Sequence, residues 1–132
     1  MQQEDLESFF DSFIYNGVQL IADRSLQTKL WVTCEGPEIG DFDDDMGIVL
    51  EFSEVLIANQ SKLDINRIKY LPLIQKIHDL VKLFYRNVVN KSLYLEVEEL
   101  INKEEWLEIV HFASSFHSKL MEEPWWNKNI IH

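Results

Sequence analysis

The chain has 132 residues, of which 46% are hydrophobic and 12% aromatic, and it carries a formal net charge of −11. That length suits one domain spanning residues 1–132, and a globule of this size hides about two thirds of the surface its unfolded chain exposes, enough for a core without staples. The apolar content excludes disorder. The charge argues against direct binding to nucleic acid or anionic lipid, since both need lysine and arginine footprints.

The charge is one-sided. Residues 1–60 hold thirteen Asp and Glu against Arg24 and Lys29 alone, whereas residues 61–132 hold ten of each sign and cancel. Leu6, Phe9, Phe10, Phe13 and Ile14 recur at helical spacing, with Glu4, Asp5 and Glu7 in a first turn where the helix dipole favours acids. Asn16-Gly17 reads as the stop of that helix. Val18, Ile21, Ala22 and Ser25 predict a second helix to about Leu26. The alternating, partly β-branched run Lys29-Leu30-Trp31-Val32-Thr33-Cys34 predicts a strand over 28–34.

Gly36, Pro37, Gly40 and Gly47 make residues 35–47 a loop, and on it Asp41, Asp43, Asp44 and Asp45 crowd four carboxylates into five positions. Phe52, Val55 and Leu56 follow Ile48 at helical spacing and predict a helix from about Asp45 to Asn59. The competing arrangement pairs 48–52 with 28–34 as a hairpin. Asp64 suits the cap of a short turn before Pro72. Ile74, Ile77, Val81, Phe84 and Val88 then mark the buried face of a long helix. The stretch 61–92 is the only basic part of the chain, with seven cations against Asp64 and Asp79, and is expected to lie near the acidic half. Leu93, Val97, Leu100 and Ile101 suggest a short acidic helix. Asn102 with Glu105 resembles a capping box opening the run Trp106, Ile109, Ala113, Phe116 and Leu120, which Pro124 ends. Trp125-Trp126 is expected to pack back on the body, because a bare tryptophan pair is an exposed apolar patch. The fold class that results is mainly α, a compact helical domain of four to six helices, with α+β left open by at most a small strand pair near residues 28–34 and 48–52.

Tests for chemistry mostly fail. Counting Asp41 as position 1 of a calcium loop puts Asp43 and Asp45 at positions 3 and 5. The glycine then falls one place late, and Phe52 stands where a bidentate glutamate is needed. Glu108-x-x-His111 is half of a carboxylate-bridged di-metal pattern, with no second Glu-x-x-His among His78, His117 and His132. Cys34 has no partner for a disulfide or a zinc pair and is expected as a small buried hydrophobe in an intracellular protein. The acids Glu35 and Glu38 beside it disfavour a thiolate. Phosphate loops, nucleophile elbows and His-Glu-x-x-His are absent. No secretory or membrane-spanning segment is read, so the expected location is cytoplasmic.

These observations lead to an expectation of a protein without catalysis, metal or cofactor that binds a basic protein partner. An inhibitor or immunity protein neutralising a nuclease-like toxin is the leading form. Glu35, Glu38, Asp41, Asp43, Asp44 and Asp45 would present the carboxylates, and Trp31 or Phe42 an apolar anchor. A helical adaptor or regulatory subunit, and a small metal-dependent enzyme or calcium-binding protein, are the alternatives. The oligomeric state is left open.

Overall fold

Apolar residues three and four apart bring each long segment of the chain to a helical face. The computed structural model describes residues 2–34, 41–91 and 95–127, and these are 84% helical, with nine α-helices, two of them joined into one run by a π turn, and no strand. The mainly α expectation holds. The helix count exceeds four to six because several helices are single turns.

The first rod is α1 (Gln3–Phe13), a π-helical turn (Ile14–Val18) and α2 (Gln19–Ala22) in one run. Asn16-Gly17 therefore does not stop it. The chain widens by a π turn and continues, and Gly17 serves close packing, since a Cβ there would meet Val49 Cγ2 at 3.1 Å. After Asp23, whose carboxylate accepts the Leu26 N–H at 3.0 Å, come α3 (Arg24–Gln27) and a second π turn (Thr28–Val32). The strand expected over 28–34 is thus a helix. The Asp23 cap nucleates it, and burial of Gln27 and Trp31 four residues apart overrides the β-branched alternation. Cys34 beyond it is exposed with φ 54, contrary to the burial expected of it, because it lies past the last helical turn.

Helix α4 (Phe42–Ala58) begins three residues earlier than expected and includes 48–52, so no hairpin forms. Its buried face is Phe42, Met46, Val49, Ser53 and Leu56. A 3₁₀ turn (Gln60–Lys62) leads to α5 (Ile65–Ile68), where Asp64 accepts the N–H groups of Asn66 and Arg67 as a cap. Helix α6 (Leu71–Phe84), with Pro72 in its first turn, buries Ile74, Ile77, Val81 and Phe84 and runs into a third π turn (Tyr85–Val89). Then come α7 (Val97–Leu100), α8 (Glu104–Met121) and α9 (Pro124–Asn127). Lys103, not Asn102, occupies the N-cap position of α8, and it makes no side-chain capping hydrogen bond. The Asn102 amide is engaged elsewhere, donating to the Glu98 carbonyl at 2.7 Å and accepting from Arg24 at 2.9 Å.

The long rods close into a ring. Helix α4 packs on α1 and α6, α8 packs on α6 and α2, and one apolar core fills the middle. Trp126 is fully buried there and Trp125 partly, so the tryptophan pair packs inward. Arg67 ties the acidic and basic halves together, 3.3 Å from both Asp11 and Asp64, with its guanidinium over Phe10 and Trp125. Glu54 of α4 meets His78 at 3.0 Å and Lys82 at 3.8 Å. The basic stretch thus neutralises the sides of α1 and α4 that face it. Among the described residues, no helix is long and apolar enough to cross a membrane.

Candidate functional site

The acid cluster lies at the start of α4, and its geometry follows from the helix. Asp41 is extended (φ −138°, ψ 134°), and its Oδ1 accepts the N–H groups of Asp43 and Asp44 at 2.9 and 3.3 Å. Asp43, Asp44 and Asp45 then occupy the first turn, where the dipole favours negative charge. Successive helical residues point about 100° apart, so these three carboxylates fan outward and do not converge as a calcium loop requires. Among the described residues, no group of three or more His, Cys, Asp or Glu is placed to hold a metal ion, at this cluster or around Glu108 and His111.

Two of the acids are held by neutral donors. Trp31 Nε1 donates to Asp45 at 2.8 Å from the second π turn, and the Tyr85 hydroxyl donates to Asp43 at 2.6 Å from the third. Burial, reinforced by Asp43 and Asp41, pushes the Tyr85 phenol far above its ordinary range, so it stays a donor. These bonds fix carboxylate orientation without cancelling charge. Among the described residues, none of Asp41, Asp43, Asp44 and Asp45 makes an ion pair. Asp41, Asp43 and Asp44 are exposed, and Asp45 is half-buried.

No family model, curated protein or solved structure matches this chain.

Beneath the acids sits an aromatic cluster. Phe42 meets Trp31 edge-on at 5.2 Å and Trp106 at 5.3 Å, and stacks on Tyr85 at 5.9 Å. Trp31 and Phe42 are 7% and 3% exposed, so the expectation that either offers an apolar anchor to a partner is corrected. Both are spent on core packing, Trp31 with the added task of holding Asp45. Glu35 and Glu38, the remaining expected site residues, lie outside the described residues.

Two residues of this site escape a reading of the sequence. Gln27 is fully buried. Its amide donates to the carbonyls of Leu20 and Ile21 at 3.0 and 2.6 Å, and its oxygen accepts from Trp106 Nε1 at 3.1 Å. It closes the end of the first rod onto α8, and nothing about a lone glutamine between Leu26 and Thr28 announces that. Tyr85 lies beside Phe84 in the buried run of α6. It opens the third π turn, and its hydroxyl bonds Asp43 on a helix 42 positions away.

Proposed function

We propose that this protein is an acidic binding domain that works in the cytoplasm by engaging a basic protein partner, with inhibition of a nuclease-like toxin as its leading form. The observation that carries the reading is the set of carboxylates at the start of α4, uncompensated by cations among the described residues and oriented by Trp31 and Tyr85. Side chains fixed before contact lose less conformational freedom on binding, and a one-signed patch speeds encounter with a partner of opposite sign. Carboxylates also stand in electrostatically for the phosphates that a nuclease surface is built to receive.

The test is affinity capture from lysate at low salt and at about 0.5 M salt, where the screening length falls to a few ångström. The expected result is one basic protein, bound by the parent chain in both buffers and lost in high salt by the variant Asp43→Asn, Asp44→Asn, Asp45→Asn. Asn keeps the side-chain oxygen that accepts from Trp31 or Tyr85, so this variant removes charge while sparing those hydrogen bonds. An acidic or neutral partner, held equally by both proteins, would contradict the reading and favour an adaptor.

A further inference from the structure

The face shared by α1 and α4 has features that the acid cluster alone does not explain. Neither helix contains a lysine or arginine, while α1 carries four acids and α4 five. Between them runs a groove of about 580 Å³ lined by Asp5, Ser8, Phe9, Ser12 and Phe52. Its floor is the edge-to-face pair Phe9 and Phe52, with ring centres 5.1 Å apart and both rings partly exposed. Ser8 and Ser12 keep the α1 wall low. Asp5, whose carboxylate accepts the Gln2 N–H at 3.3 Å, closes one end. Asp11 and Glu54 pair with Arg67 and Lys82, and Glu54 also hydrogen-bonds His78, whereas Asp5, Asp44 and Glu51 have no cation beside them among the described residues.

On α4 the outward stripe Asp44, Ile48, Phe52, at four-residue steps, leads from this groove to the acid cluster. Ile48 is 37% exposed and continues the apolar floor. From Asp5 to Ser12 the groove spans about 10 Å along α1, two helical turns.

We propose that this groove docks a basic amphipathic helix of the partner protein. Two apolar side chains one turn apart sit on Phe9 and Phe52, and flanking Lys or Arg residues face Asp5, Asp44 and Glu51. The charge complementarity selects this occupant. The groove between α6 and α8 is also apolar, with Leu80, Leu107 and Phe112, but Lys76 lines it beside Glu104 and Glu108, so a basic helix would meet a like charge there that the α1/α4 face does not present. The inference rests on the acidic-binding reading and adds to it an apolar anchor site and the secondary structure of the ligand.

The experiment titrates the full chain, labelled for amide NMR, with a Leu/Lys peptide of about 18 residues patterned as an amphipathic helix, and with an isomer of the same composition that lacks the pattern. The patterned peptide is expected to saturate, to bind roughly tenfold more tightly than the isomer, and to shift the amides of Ser8, Ser12, Ile48 and Phe52. Ser8→Arg, at an exposed position, should weaken it roughly tenfold, while Leu107→Arg, the same charge change in the other groove, should alter it by no more than about twofold. Equal affinity of the two peptides, with shifts centred on Asp43 and Asp44, would overturn the groove and leave the acidic-binding reading standing. Shifts centred on Leu107 would overturn it as well. Binding of neither peptide would count against both.

Discussion

Two buried contacts set measurable consequences for individual residues. Arg67 satisfies Asp11 and Asp64 at once, yet burial still lifts the Asp11 carboxyl above its ordinary range, with Arg67 pulling the other way. Arg67→Met should cost about 2–4 kcal/mol in urea unfolding at neutral pH, by leaving a half-buried carboxylate unpaired. Part of that loss should return on acidification, as Asp11 takes up a proton. His117 shows the opposite sign. Burial lowers it from 6.5, and its Nε2 lies 3.1 Å from the Gln19 amide nitrogen, which suits a neutral ring accepting a hydrogen bond. The unfolded chain therefore protonates first. Stability is full above about pH 6.5 and falls as the pH drops through the window below it, so urea midpoints at about pH 7.5 and 5.5 should differ. In His117→Gln, which can still accept from Gln19, that difference should shrink. An unchanged pH dependence would exclude His117 as its source.

At the scale of elements, the two described glycines make opposite predictions from the same substitution. Gly47 sits inside α4 with nothing within 4 Å of where a Cβ would stand, so Gly47→Ala should stabilise by about 0.5–1 kcal/mol. Gly17 lies in the first π turn with Val49 Cγ2 at 3.1 Å, and Val49 is itself buried in the core with little room to yield, so Gly17→Ala should destabilise by about 1 kcal/mol, and on a Val49→Ala background the same substitution should cost less. Melting temperatures of Gly47→Ala, Gly17→Ala, Val49→Ala and the Gly17→Ala, Val49→Ala double variant check this. The contrast also explains what the sequence could disclose. The faces of α4, α6 and α8 were legible because long periodic segments bury one side whatever their neighbours do, and Asp64 was legible because capping is local. The strand expected over 28–34 and the stop expected at Asn16-Gly17 failed where a π turn intervened. Such turns depend on what packs against them, here α4 against Gly17 and the Phe42 cluster against Trp31, and a local pattern carries no record of that. The acid cluster itself was visible as composition. Its anchoring by Trp31 and Tyr85 was not, since those residues stand 14 and 42 positions from the acids they hold.

The whole molecule is a ring of helices whose charge is sorted by side. Arg67 and Lys82 pair with Asp11 of α1 and Glu54 of α4, and the acids at the start of α4 and along the α1/α4 groove have no cation beside them among the described residues. Under the proposed function, that division makes folding and binding separable. Removing charge at Asp43, Asp44 and Asp45 with asparagine relieves repulsion and retains the acceptors, so thermal stability should stay within about 1 kcal/mol of the parent. Binding to a basic partner should suffer far more, and chiefly in its rate of formation. The decisive measurement is the association rate constant of the captured partner as a function of ionic strength, for the parent and for the triple asparagine variant. A steep fall with salt in the parent, with a slower rate and a flatter slope in the variant, is the predicted result. Identical rates and slopes for the two proteins would contradict it and remove the carboxylates of α4 from recognition.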